Sequence, residues 1–158
     1  MSEGSSTRRA RLRHRLFHLY FLARRPMTLG VRVGIFDDEG RVLLVRHTYV
    51  EGWYMPDGGV ETGETVEMAA RKEVREEARI EAGELALVGV YKNERSSRRD
   101  HVVLYACRDW QSAGEFVPNG EIAGIGFFPL DALPQDTSPS TRERLADAVQ
   151  GRQLSAYW

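Results

Sequence analysis

At 158 residues with 42% apolar content, the chain is long enough for one domain with a self-supporting core. Its net charge of −1 gives no global field for nucleic acid or a membrane, and no run reaches the roughly 18 apolar residues a membrane span needs. The single cysteine, Cys107, excludes an internal disulfide and fits a reducing cytoplasm.

The charge is spread unevenly. Residues 1–26 carry seven arginines against Glu3 alone, a net +6, so the remainder sums to −7. Leu12, Leu16, Leu19 and Tyr20 recur at helical spacing with Phe17 and Phe21 beside them. The pattern predicts a basic amphipathic helix over 1–26, an N-terminal extension to a domain spanning 27–158. Its apolar side has competing occupants: the domain itself, the second subunit of a homodimer, RNA, or an anionic membrane surface. A secretory signal does not fit. Leu16–Ala23 is short, contains His18 and runs into Arg24-Arg25 without a small-residue cleavage pattern. An arginine-rich, acid-poor start is also shared with organelle transit peptides.

Pro26 closes this arm, and Val31–Phe36 reads as a strand. Asp37-Asp38-Glu39-Gly40 is a tight turn, and Arg41–Arg46 returns as a second strand, which predicts a hairpin. Arg46 and His47 stand at its exit, His47 as a surface residue. Trp53 and Tyr54 follow, and packing against the next loop competes there with stacking on a base. Leu85–Tyr91 and His101–Arg108 are predicted strands joined by a charged loop holding Arg95, Arg98 and Arg99. Ile122–Phe128 is the last strand and Ser138–Gln150 a closing helix.

The centre of the chain is the stretch from Gly58 to Ile80, GGVETGETVEMAARKEVREEARI. It turns at Thr62-Gly63-Glu64 into a helix predicted over about Thr65 to Arg79. Each helical residue advances about 100°, so Glu73, Glu76 and Glu77 share a wedge roughly 100° wide. Arg71, Arg75 and Arg79 form a stripe on the other side. Like charges one turn apart disfavour a helix, so the cluster makes sense under a positive partner. Two readings compete: a solvated acidic face, or a site for a hard divalent cation. Val66, Ala69, Ala70 and Val74 project toward the same side as Glu73 and Glu77, which leans these carboxylates toward the protein body. Oxygen ligands converging there suit Mg²⁺ or Mn²⁺.

These residues resemble the box of the Nudix hydrolases. Gly58, Glu64, Lys72-Glu73, Val74, Glu76-Glu77, Arg79 and Ile80 follow its spacing, with Lys72 in place of Arg and Arg79 in place of Gly. Upstream, Met55-Pro56-Asp57-Gly58-Gly59-Val60-Glu61 is similar to the family's Leu-Pro-Gly-Gly-Gly-Val-Glu, with Asp57 where glycine is usual. Phe127-Phe128-Pro129-Leu130-Asp131-Ala132-Leu133-Pro134 resembles an ending common in these domains. The resemblance implies an α/β fold, a Nudix-type α/β/α sandwich around a mixed β-sheet. It implies Mg²⁺- or Mn²⁺-dependent hydrolysis of a nucleoside diphosphate linked to another moiety, or of a nucleoside triphosphate. Glu73, Glu76 and Glu77 are the implied catalytic and metal-binding residues, with Glu73 the first candidate for general base. Asp57 joins the metal shell through its carbonyl or its carboxylate, and Arg46 binds substrate phosphate, against the alternative of a solvated strand end. From the charged loop itself, Arg95 either grips substrate phosphate or is simply solvated. Glu115 or Glu121 would supply a further carboxylate, while Glu64 orients the loop and Lys72.

The departures carry expectations of their own. Lys72 keeps the charge without the planar fork. Arg79 stands where glycine allows a left-handed exit, which predicts a longer helix or another way out. A non-glycine at position 57 resists unusual backbone angles. Two alternative functions stay open: an RNA 5′-end pyrophosphohydrolase, gripping RNA through the basic arm and the Arg95–Arg99 loop, and a non-catalytic module that binds nucleotides or a partner protein.

Overall fold

Alternation of Val31, Val33 and Ile35 with Arg32 and Gly34 gives β1 (Thr28–Ile35) one face for each of two cores. The computed structural model describes residues 3–24 and 26–158, with backbone alone for 3–12. β1 lies inside a four-stranded mixed sheet between β3 (Asp57–Gly59), antiparallel to it, and β6 (Asp100–Cys107), parallel. β5 (Leu85–Lys92) completes this sheet antiparallel to β6, in the order β3-β1-β6-β5. A second pair joins β2 (Val42–His47) to β8 (Ile122–Phe128), and a third joins β4 (Ile80–Ala82) to β7 (Trp110–Ser112).

The helices cover opposite faces. Ala69, Ala70, Val74 and Ala78 of α2 (Val66–Ala78) pack with Val31, Val33, Ile35, Leu43 and Val45. Leu145 and Ala148 of α3 (Pro139–Gln150) pack with Phe36, Val42, Leu44, Tyr91 and Leu104. Successive β2 residues therefore serve the two cores in turn, as strand alternation requires. The arrangement is the expected α/β/α sandwich around a mixed sheet.

The hairpin is corrected. Its turn forms, with the Gly40 N–H donating to the Asp37 carbonyl at 2.9 Å. The two strands nevertheless share only the Phe36–Val42 bridge. On that side β3 pairs with Gly30, Val31 and Arg32 and the Pro56 carbonyl accepts from Val33, so β2 cannot continue along β1 and joins β8 instead.

Neither the longer helix nor another way out is found at Arg79. Thr65 caps the start of α2, its hydroxyl accepting from the Met68 N–H at 3.1 Å. Arg79 then ends the helix in the left-handed conformation itself, at φ 55° and ψ 44°. The chain must turn at once because Ile80 opens β4, and the Arg79 carbonyl already accepts from Ala113 at 2.7 Å.

The basic arm is helical over α1 (Glu3–Arg24). Docking on the domain is not what its described side chains show. Leu16, Phe17, Leu19, Tyr20 and Leu22 are all exposed. At 100° per residue they spread over about 220° of the helix circumference, wider than a single core-facing stripe. Leu12 of the expected stripe, and Arg8, Arg9, Arg11 and Arg25 of the arm, lie outside the described side chains. No helix among the described residues is long and apolar enough to cross a membrane.

Candidate metal centre and active site

The arginines of α2 have carboxylates of their own. Arg71 pairs with Glu67 at 2.7 Å and Arg75 with Glu81 at 2.9 Å, so Glu73, Glu76 and Glu77 are left to the opposite side. Those three line an open cleft of about 420 Å³, closed across by Asn119, Gly120, Glu121 and Ile122. Asn119 fixes that wall, its Oδ1 accepting from the N–H groups of Glu121 and Ile122 at 2.8 Å each. Glu121 is the further carboxylate at the cleft, and Glu115 does not line it.

Glu77 is the buried member. Its Oε2 accepts the Asp57 N–H at 2.9 Å, and its Oε1 lies 3.7 Å from His47 Nδ1. Burial pushes its carboxyl up to about 8. The Asp57 and Glu73 charges add to the rise, while the Asp57 N–H and Arg32 oppose it. Asp57 sits in β3 with no left-handed backbone, so the expected conflict at that non-glycine does not arise. Its carboxylate is held by Arg32 Nη1 at 2.5 Å on Oδ2 and by His47 Nε2 at 3.2 Å on Oδ1.

Glu73 is half-buried over the backbone of Gly58, where a Cβ would land inside its carboxyl group. Burial raises its pKa, Lys72 lowers it, and Glu76 and Asp57 raise it further. Lys72 Nζ lies 3.5 Å from Glu73 and 3.1 Å from Glu64 Oε1. Glu64 Oε2 also accepts the Glu61 N–H at 3.0 Å, so Glu64 ties the loop to Lys72 as its place in the pattern suggested. Glu76 is exposed at the cleft mouth.

His47 is not a surface residue. Only 5% exposed, it lies between Asp57 and Glu77. It continues the Leu43, Val45 parity of β2 toward the α2 side, and that period of two was the available signal. Arg46 beside it is exposed, and Arg95 is exposed in the turn between β5 and β6. Neither lines the cleft. The arginine brought against the acidic cluster is Arg32, from the middle of β1. Trp53 packs edge-on to Phe128 at 4.9 Å, and Tyr54 donates to the Glu51 carbonyl at 2.7 Å. Both are structural aromatics of the box loop.

These residues fit a divalent cation. Ligand atoms from His47, Asp57 and Glu77 all lie within 4.8 Å of one another. His47 Nδ1 is buried with no hydrogen-bond partner, and Glu77 needs a positive neighbour to stay ionised at neutral pH.

A family model described as NUDIX domain matches residues 26–148. The chain is a Nudix hydrolase. A Bacillus subtilis protein named putative 8-oxo-dGTP diphosphatase is 28% identical over 127 residues, 80% of this chain and 83% of that protein. The crystal structure of a MutT NUDIX hydrolase from Burkholderia pseudomallei superposes with a TM-score of 0.66 at 26% identity, covering 76% of this chain and 96% of that one. An ADP-ribose pyrophosphatase from Streptococcus suis superposes at 0.62 with 30% identity, covering 83% and 95%. Membership makes this Nudix chain an enzyme of diphosphate bonds, and nucleotide-directed names recur among its relatives.

Proposed function

We propose that this Nudix chain hydrolyses a nucleoside diphosphate linked to another moiety, or a nucleoside triphosphate, using Mg²⁺ or Mn²⁺ held by Glu73, Glu76, Glu77 and Asp57. The observation carrying the reading is the open cleft with three α2 carboxylates on one wall and Glu121 on the other. A divalent cation bound there supplies charge neutralisation for the diphosphate and acidifies nearby water. Glu73 accepts the proton of the attacking water as general base. Its raised pKa favours proton uptake, and Gly58 leaves room for the carboxyl group over the backbone. The water oxygen bonds to one phosphorus, and the bridging oxygen departs with the other phosphate. Glu76 and Glu77 are the principal ligands, and Glu64 positions Lys72 beside Glu73. Arg46 and Arg95 reach a bound substrate only from outside the cleft, so their phosphate contacts belong to its distal part. Residues 27–158 form the catalytic unit and 1–26 an extension, in keeping with a family match that starts at residue 26.

A metal-dependent product screen across nucleoside triphosphates, ADP-ribose-type compounds and 5′-triphosphorylated RNA tests this reading. Turnover on free nucleotides, lost by orders of magnitude in Glu76→Gln, is the expected result. Turnover on RNA alone, abolished by deleting residues 1–25 and steeply salt-dependent, would instead favour the RNA 5′-end activity.

A further inference from the structure

The three α2 carboxylates and the Asp57 carbonyl account for an all-oxygen site, yet one buried nitrogen faces Glu77. His47 is held on both ring positions by different chemistry. Its Nε2 lies 3.2 Å from Asp57 Oδ1, and that carboxylate, already engaged by Arg32, can only accept. The proton of a neutral imidazole is therefore on Nε2. Nδ1 is left with a bare lone pair, buried, without a hydrogen-bond partner, and 3.7 Å from Glu77 Oε1. Two acceptors facing each other across that gap repel unless something positive or protic sits between them. A carboxylate fixing one ring nitrogen while the other points at an acidic cluster is the arrangement by which proteins orient a histidine ligand.

We infer that His47 Nδ1 is a nitrogen ligand of the divalent cation shared with Glu77, and that the Asp57 carboxylate and Arg32 act behind it to fix its tautomer, leaving Asp57 only its carbonyl for the ion. The inference rests on the proposed metal-dependent site and goes beyond its glutamates. It changes which cations the site favours. An imidazole in an otherwise oxygen set raises affinity for Co²⁺ or Zn²⁺ far more than for Mg²⁺. The ring is fixed from three sides: Asp57 holds Nε2, and Tyr49 and Tyr54 lie at ring-centroid distances of 5.0 and 5.8 Å. Its nitrogen thus stays aimed at Glu77 without further ordering.

The test uses the full chain with the metal alone as probe. Electron spin-echo modulation of the Mn²⁺ complex should show coupling to a directly bound nitrogen in the wild-type protein and in His101→Gln, but not in His47→Gln. His101 is the control because its Nδ1 is also buried and unpartnered. Titrations followed by tryptophan fluorescence should show Co²⁺ affinity falling roughly 10-fold or more in His47→Gln, the scale on which even outer partners of a ligand act. Mg²⁺ affinity should fall by much less. An oxygen-only Mn²⁺ spectrum, or equal losses for Co²⁺ and Mg²⁺, overturns the His47 assignment while the glutamate site stands. Absence of any divalent binding overturns both.

Discussion

Replacing Glu77 by Gln should stabilise the metal-free protein at alkaline pH. The carboxyl is moved from 4.5 to about 8, chiefly by burial. At about 1.36 kcal/mol per pH unit, holding it ionised costs on the order of 5 kcal/mol. Relaxation and water entry reduce such penalties in real proteins, so about 2–4 kcal/mol is expected for the variant at pH 8.5. Because the folded state holds this proton more tightly than the unfolded chain, the associated stability is complete below about 4.5 and is lost as pH rises through about 8. Gln keeps the acceptor for the Asp57 N–H and offers an N–H toward His47 Nδ1. Thermal unfolding in chelator should show the variant melting roughly 5–10 °C above wild type at pH 8.5, with the gap closing toward pH 5. Added Mg²⁺ should then raise the wild-type Tm and leave the variant where it was. A variant no more stable than wild type at pH 8.5 in chelator, with no pH trend between them, would refute the argument from burial.

Other perturbations read other parts of the account. Gly58→Ala drives a methyl group into the Glu73 carboxyl; kcat should fall about 100-fold or more, as loss of a general base does, with Tm nearly unchanged. Arg79→Gly removes a left-handed non-glycine residue at φ 55°, and equilibrium unfolding should show a gain of about 1 kcal/mol. The fragment 27–158 should keep full turnover on free nucleotides. Comparing its sedimentation with that of the whole chain tests whether the exposed apolar groups of α1 hold two copies together.

Much of the fold was legible because its long strands and helices carry strong periods. Val31, Val33 and Ile35 mark β1, and Thr65 with Val66, Ala69, Ala70 and Val74 marks α2 to within a residue. What stayed hidden depended on contacts between distant segments. β3, β4 and β7 are three residues each, too short to show alternation, and strand pairing is set by which edges are free. Spacing put Glu73, Glu76 and Glu77 on one side of α2, and the resemblance to the Nudix box singled them out as candidate ligands. Arg32, twenty-five positions before Asp57, and His47, thirty before Glu77, reach the cluster only because β1, β2 and β3 converge beside α2. Arg79 shows the reverse case, in which the need to start β4 overrode the residue's own conformational preference.

The central claim is that the α2 carboxylates hold a divalent cation at a cleft a diphosphate can enter. Anomalous diffraction at the manganese edge, from crystals grown with Mn²⁺ and a non-hydrolysable nucleoside diphosphate analogue, addresses it directly. The account predicts a peak against Glu77 with Glu73 and Glu76 around it, and analogue phosphates on the same ion. A nucleotide bound with no manganese at these residues, or manganese held elsewhere on the chain, would contradict it.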